Sequence, residues 1–177
     1  MDRFPGKASA VCHLWSVICI LLVVVSCSSV PEEVGPPIEV FFCPEDDCAA
    51  VLISFIDGGT DCAFYDVSVP EVQTALEKIR VVTDRRNSRK LPNAFAPVRP
   101  ALMHNKFCVK DATVLSGSYN PTKSGLHNNV VSIGSPSLAR NFQDEFDELW
   151  SEASNLRVRY PGIRYNGRYI ESYFCTE

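Results

Sequence analysis

Histidine is scarce in this chain of 177 residues: only three occur, at positions 13, 104 and 127. None of the eight cysteines forms a CxxC pair, so a zinc site has little support from the sequence. Hydrophobic residues make up 46% of the chain and charged residues 21%, which is typical of a globular protein and not of a disordered one. The length favours one domain.

The main apolar run lies near the N-terminus, from Leu14 to Val25, and it follows two basic residues. This length suits a signal peptide and is short for a membrane span, although the run approaches spanning length when it is counted from Ala8. Residues 24–27, VVSC, are similar to a lipobox, in which Cys27 would be lipidated. We therefore expect residues 1–27 to be a lipoprotein-type signal or an N-terminal membrane anchor. The protein would then be exported and membrane-associated, with a cleaved signal and secretion as the alternative.

Residues 28–37 are rich in proline and acid, and this composition predicts a linker. Disulfides are permitted if the protein is exported, and the pairing among Cys43, Cys48 and Cys175 stays open. Two further cysteines, Cys62 and Cys108, lie in apolar segments that resemble strands. We interpret these two as small buried hydrophobic residues.

The net charge of −4 argues against nonspecific binding to nucleic acid, but the charges are unevenly distributed. Between residues 80 and 110, eight basic residues accompany a single acid, Asp84, so this segment carries +7 and the rest of the chain −11. Such a segment beside a reactive histidine suits an anionic substrate. We call its basic residues the basic collar: Arg80, Arg85, Arg86, Arg89, Lys90, Arg99, Lys106 and Lys110.

Hydrophobic periodicity predicts strands that alternate with helices. Strands are expected at 38–42, 62–69, 79–84, 101–109, 112–118 and 129–133. Helices are expected within 44–59, over 70–78 and after Ser135, with a turn and a short helix at 120–126. This order predicts an α/β sandwich with helices on both faces of one sheet.

The chemistry is concentrated around one histidine. His104 and Lys106 lie two residues apart in a predicted strand and should share a face. Ser118 and Asn120 repeat that spacing at the end of the next strand. If the strands are neighbours, the imidazole can attack phosphorus while the other three groups hold the phosphate oxygens. The alternative is a partly exposed strand histidine whose neighbours are accidental.

The pattern His104-x-Lys106-x4-Asp111, followed by GSYN at 117–120, resembles the HKD motif and the GSxN sequence of the phospholipase D superfamily. The resemblance spans roughly residues 38–150. It implies an α/β/α sandwich with a mixed sheet and neither a metal nor another cofactor.

The resemblance also assigns roles within this motif. His104 would be the nucleophile or the general acid, and Asp111 the structural member of the catalytic motif. Family nucleases often carry a glutamate that binds the histidine, and the corresponding position here is Asn128, which we expect to orient the ring. The phosphate ligands implied are Lys106, Ser118 and Asn120.

Members of the superfamily cleave nucleic acids or phospholipids, or transfer phosphatidyl groups. The basic collar favours a polyanion held by its backbone, although Phe95 is the only aromatic residue available there for base stacking. We therefore expect a nuclease-like phosphodiesterase that forms a phosphohistidine. Hydrolysis of phospholipid headgroups is the first alternative, and an inactive half that serves only in assembly is the second.

A family site uses two HKD motifs, and this chain supplies one. Residues 35–45 and 167–177 share six of eleven positions, including the cysteines at 43 and 175. We therefore expect the domain to span 38–155, followed at 156–177 by a linker and the loose first strand of a second, truncated copy. The site would be completed by a second repeat in a longer protein or by a homodimer.

Overall fold

The computed structural model of the chain describes residues 30–98, 102–124, 127–152 and 159–174. The predicted signal with Cys27, and also Arg99 and Cys175, lie outside these ranges. In the described part, no helix has the length and apolar character that crossing a membrane requires.

The strands of this part are β1 (Glu32–Glu33), β2 (Glu39–Cys43), β3 (Asp61–Phe64), β4 (Arg80–Thr83), β5 (Lys106–Lys110), β6 (Thr113–Gly117), β7 (Asn128–Gly134), β8 (Ile163–Tyr165) and β9 (Arg168–Ile170). The helices are α1 (Cys48–Phe55), α2 (Pro70–Leu76) and α3 (Pro136–Trp150), with a 3₁₀ turn at Ser88–Lys90.

Six strands form the main sheet in the order β2-β7-β6-β5-β3-β4. Only β3 and β4 run parallel among these described pairs, and the other neighbours are antiparallel. Helices α1 and α2 pack on one face of the sheet and α3 packs on the other. The predicted α/β/α sandwich with a mixed sheet is therefore confirmed.

Side-chain alternation along β5 builds the two halves of the core. Phe107 packs with the α3 layer, whereas its neighbour Cys108 packs with the α1 and α2 layer. Both side chains are buried. A strand that is buried on both faces reads as a continuous apolar run in the sequence, as residues 107–109 do.

Helix α3 begins and packs as its sequence predicts. The hydroxyl of Ser135 accepts a hydrogen bond from the Leu138 N–H at 3.1 Å, and Pro136 occupies the first helical position. Along the helix, Leu138, Phe146 and Leu149 are buried against the sheet. These residues form an apolar stripe that belongs to the core.

Two strands near the site are shorter than predicted. Strand β3 ends at Phe64 because the chain then bends towards α2, where the backbone N–H groups of Ser68 and Val69 donate to the Pro121 carbonyl. Strand β5 begins at Lys106, so His104 lies in the segment before it and not within the strand. The short helix expected at 120–126 is a turn in its described residues, and 125–126 lie outside them.

Four cysteines form two disulfides, and this corrects the interpretation of Cys62 and Cys108 as unbonded hydrophobic residues. Both are fully buried, as expected, but the register of β3 and β5 places them directly opposite each other, with Cα atoms 4.1 Å apart. The second disulfide joins Cys43 at the end of β2 to Cys48 at the start of α1.

The segments on either side of the predicted domain are folded in their described parts. Strands β1, β8 and β9 form a second sheet, so residues 28–37 are more than a linker. The Glu33 carboxylate accepts hydrogen bonds from the Ser135 hydroxyl and, at 2.9 Å, from the Ser137 N–H at the start of α3. Near the C-terminus, Phe174 is buried in the α3 layer of the core. The expected loose tail is therefore wrong for these residues, whereas a second copy of the domain stays a prediction.

Candidate active site

Five segments bring polar and aromatic side chains to one edge of the main sheet. Tyr65 and Asp84 follow the parallel strands β3 and β4. His104 precedes β5, Ser118 follows β6, and Asn129 lies at the start of β7. Because β5 and β7 run antiparallel to their neighbours, their starting residues meet the ends of the other strands. The HKD and GSxN segments therefore lie at the same end of the sheet.

His104 and Lys106 share a neighbour that the sequence interpretation did not include. The Tyr65 ring lies edge-on to the His104 imidazole, with 4.8 Å between ring centroids and 66° between planes. The Lys106 ammonium lies 5.8 Å from the centroid of the same tyrosine ring. Lys106 Nζ also donates to the His104 carbonyl at 2.9 Å. An ammonium has three donors, so this bond leaves Lys106 able to bind a phosphate oxygen.

The surroundings of His104 lower its pKa from the ordinary value. Partial burial is the largest cause and the positive charge of Lys106 is the second, while the negative charge of Asp84 opposes them. Burial likewise lowers the pKa of Lys106. His104 nevertheless keeps an exposed side chain. The result is an accessible imidazole that is neutral near pH 7, the form required of a nucleophile.

The GSYN turn is held by Asn129, a residue that the sequence interpretation missed. The Ser118 hydroxyl accepts a hydrogen bond from the Asn129 N–H at 3.0 Å, and the Ser118 N–H donates to Asn129 Oδ1 at 3.3 Å. The Tyr119 N–H donates to the Asn129 carbonyl at 3.2 Å. Gly117 has a φ of 150°, and a Cβ there would lie 2.3 Å from that carbonyl oxygen. Glycine is therefore required where the turn approaches β7.

Asn120 retains hydrogen-bonding capacity within the described structure. Its side-chain oxygen is buried and has no hydrogen-bond partner there. An amide oxygen accepts hydrogen bonds, so binding a phosphate oxygen would have to use the Asn120 Nδ2 donors. The expected role of Asn120 in binding phosphate stays a prediction.

Asp84 forms hydrogen bonds at both ends of the loop between β4 and β5, which contains most of the basic collar. Its carboxylate accepts hydrogen bonds from the Arg86 N–H at 2.9 Å and from the Met103 N–H at 3.0 Å. Met103 directly precedes His104, so the carboxylate helps to place the histidine backbone. In the sequence, Asp84 was noted only as the single acid of a basic segment.

Asp111, the expected structural member of the motif, lies apart from His104. It lies in the turn between β5 and β6, at the other end of β5 from His104, with a φ of 51°. Strand β5 has five residues, so about 17 Å of strand separates the two ends. Its structural role in the turn stays a prediction. Asn128 lies at the site edge as the first residue of β7, and its orienting role stays a prediction.

The basic collar divides between the two ends of the sheet. Arg80 is bound to Asp61 and lies 5.0 Å from the Phe146 ring centroid, away from the site edge. At that same distant end, Lys110 binds Asp57 at 2.9 Å. Lys90 forms an ion pair with Asp66 at 2.7 Å. Exposed guanidinium groups after β4 therefore supply the positive surface near His104, namely Arg85, Arg86 and Arg89.

A small, shallow cleft lies beside Lys106 and Asn129. Its other walls are mainly apolar and include Leu52, Phe64 and Tyr119. Within the described ranges, no three His, Cys, Asp or Glu side chains are grouped as metal ligands would be.

Comparison with known proteins agrees with this geometry. Residues 71–150 match the family model described as cardiolipin synthase, PLD-like domain. Residues 71–150 are therefore similar to a phospholipase D-like domain. The matched region of this domain includes His104, Lys106, Ser118, Asn120 and Asn128, whereas Tyr65 lies before it. The family match supports a phospholipase D-like function in the broad sense.

Solved structures show the same fold. The crystal structure of a phospholipase D family member, Nuc from Salmonella typhimurium, superposes with a TM-score of 0.59 at 21% identity, covering 70% of this chain and 99% of that one. NucT from Helicobacter pylori gives a TM-score of 0.52 at 13% identity, covering 65% and 96%. No curated protein matches the chain significantly.

Proposed function

We propose that this phospholipase D-like domain hydrolyses phosphodiester bonds through a phosphohistidine at His104. The observation that carries the proposal is an exposed imidazole of lowered pKa beside Lys106, at the same sheet edge as the braced Ser118 turn. A nucleophile, a cation and neutral donors are the groups that phosphoryl transfer requires.

The reaction divides into two displacements. An imidazole nitrogen of His104 attacks phosphorus, and the bond from phosphorus to the leaving oxygen breaks with its electron pair on that oxygen, which takes a proton from a general acid. Water then attacks the phosphohistidine, giving one proton to a base and releasing the imidazole. Lys106, Ser118 and Asn120 hold the phosphate oxygens as charge develops.

We propose a nucleic acid as substrate, held by its phosphate backbone. The exposed Arg85, Arg86 and Arg89 support this choice, since neutralising phosphates is the main source of nonspecific affinity for nucleic acid. Phe95 packs on Trp150 with ring centroids 5.3 Å apart, so it is engaged in the core and adds nothing to base stacking. Hydrolysis of phospholipid headgroups at a membrane that holds the N-terminus is the alternative, and an inactive half serving in assembly is the second.

The general acid is proposed to be the His104 of a second copy, from a homodimer or from a second repeat. The motivation is that the motif occurs once in the sequence. Sedimentation at assay concentration, alongside activity, tests the shared site, because an active monomer would contradict it. Within one chain the competing acid is His127, which is exposed at the entrance of β7, and His127→Gln separates the two models.

The substrate is tested with the purified full chain in the presence of a metal chelator. Labelled single-stranded DNA and RNA are compared with vesicles of phosphatidylcholine and phosphatidylethanolamine. We expect shortened polynucleotides; release of choline or ethanolamine alone would favour the phospholipid alternative. Absence of both products would leave the assembly role.

His104→Ala is the decisive variant for the mechanism. We expect the rate to fall at least about a thousandfold, as removal of a nucleophile does, with the fold intact because the side chain is exposed. His127→Gln serves as the matched histidine control and should retain activity. A His104→Ala enzyme within about tenfold of wild type would refute the nucleophile assignment.

A further inference from the structure

Tyr65 is anchored between the reactive histidine and the loop of the basic collar. Its backbone N–H donates to the Asn105 carbonyl at 3.0 Å, next to His104. Its own carbonyl accepts a hydrogen bond from Asn87 Nδ2 at 2.9 Å, within the collar loop. These two hydrogen bonds fix the backbone of Tyr65 and thereby the position of its ring.

The ring of Tyr65 contacts both His104 and Lys106. It contacts the His104 imidazole edge-on, a preferred geometry for two aromatic rings, at 4.8 Å between centroids. The Lys106 ammonium lies 5.8 Å from its centroid, within the range of a cation–π contact. Both interactions use the ring, and neither uses the phenolic hydroxyl.

His104 needs such a contact because of where it lies. It precedes β5, so the ladder of the sheet does not fix its own backbone as it fixes that of Lys106. The charged groups that face the imidazole are Lys106 from β5 and Asp84 from the end of β4. Neither of them supplies a flat surface that would limit rotation of the ring.

We propose that Tyr65 is a positioning residue, whose aromatic ring holds the His104 imidazole in the orientation for attack and steers Lys106 towards the phosphate. This proposal rests on the proposed function, because it assumes that His104 reacts. It assigns no role in proton transfer to the tyrosine hydroxyl.

Kinetics of variants of the full chain test the role of the ring. Tyr65→Phe keeps the ring, and kcat should stay within about twofold of wild type. Tyr65→Leu removes the ring, and kcat should fall at least about tenfold while KM changes by less than about threefold, because misplaced reacting groups slow the chemical step. Tyr65→Met serves the same purpose if the leucine variant does not fold. Tyr169→Leu, on the exposed strand β9, is the matched tyrosine control.

A second measurement does not depend on activity. With histidine labelled at the ring carbon, three signals are expected from the three histidines, and His104→Gln identifies the relevant one. Burial is the largest cause that lowers the pKa of His104, so Tyr65→Leu should raise this pKa and Tyr65→Phe should leave it unchanged.

The outcomes separate the two proposals. Wild-type kcat in Tyr65→Leu, equal loss in the Phe and Leu variants, or an unchanged His104 pKa in Tyr65→Leu would overturn the role of the ring. If the wild-type protein cleaves no phosphodiester, the proposed function fails, whereas the titration still shows whether Tyr65 shields the imidazole.

Discussion

At the scale of single residues, the reactivity of His104 comes from neighbours that act in opposite directions. Partial burial and the Lys106 charge favour the neutral imidazole, and the Asp84 charge favours the protonated one. The first two effects prevail. A nucleophile gains from this balance, because protonation would block its lone pair.

The first prediction concerns pH. Since the attacking imidazole must be neutral and its pKa is lowered, activity should persist as pH falls and decline only below about pH 6.5, the ordinary pKa of histidine. A profile of kcat/KM against pH measures this acid limb. A midpoint above about 6.5 would contradict the prediction. In Lys106→Gln, loss of the positive neighbour should raise the His104 pKa measured by NMR, whereas Lys78→Gln at the other end of the sheet should not change it.

Sequence spacing predicted the site residues that are close along the chain and missed those brought together by folding. His104 and Lys106 are two residues apart, and their proximity was predicted. Tyr65 and Asp84 come from other strands, and no local pattern marks them as neighbours of His104. Asp111 belongs to the same motif but lies at the far end of β5, where the structural role expected of it would concern the turn and not the imidazole.

At the scale of elements, the turn after β6 depends on one glycine. We predict that Gly117→Ala lowers the free energy of unfolding by about 1–3 kcal/mol, because the residue has a positive φ and its Cβ would clash with the Asn129 carbonyl. Urea unfolding measures the change. Gly58→Ala is the control, since a Cβ there meets nothing within 4 Å. Equal stability of the two variants would show that the turn accommodates a Cβ at position 117 without strain.

The exposed part of the basic collar leads to a prediction about salt. Replacing Arg85, Arg86 and Arg89 with glutamine should raise KM for a polynucleotide and flatten its dependence on salt concentration, because fewer counterions are released on binding. The control neutralises three exposed charges elsewhere, namely Lys78, Arg164 and Arg168. If both triple variants show the wild-type salt dependence, Arg85, Arg86 and Arg89 do not contact the polynucleotide and belong to a solvated loop.

Elements with strong local signals were the most predictable. Helix α3 carries a serine cap, a proline at its first position and an apolar stripe, all within its own sequence. Strand β3 ends at Phe64, and the residues predicted to continue it include Ser68 and Val69, which donate instead to the carbonyl of Pro121, far along the chain, a contact that periodicity does not reveal. The β1 segment was predicted to be a linker because nothing in its local sequence marks a strand. Its Glu33 carboxylate accepts a hydrogen bond from the start of α3, which is distant in the sequence.

At the scale of the whole molecule, the disulfides join parts of the chain at very different separations. Cys62 and Cys108 are 46 residues apart and connect two central strands of the sheet, with α2, β4 and the collar loop between them. Cys43 and Cys48 are only 5 residues apart. Both pairs are buried, so they differ mainly in the length of chain that each one closes.

The last prediction uses that difference. A disulfide stabilises a fold mainly by restricting the unfolded chain, so the double variant Cys62→Ala/Cys108→Ala should lose about 4 kcal/mol of unfolding free energy and Cys43→Ala/Cys48→Ala about 2 kcal/mol. Each variant removes two buried sulfurs, so the loss from packing is similar in both. The difference between their unfolding free energies therefore reflects the length of the loop that each disulfide closes. Urea unfolding under non-reducing conditions measures both losses, and addition of a reductant should bring the wild-type protein below either variant. Equal losses in the two variants would mean that the restriction of the unfolded chain does not control stability here, and no loss in either would mean that these sulfurs are not bonded in solution.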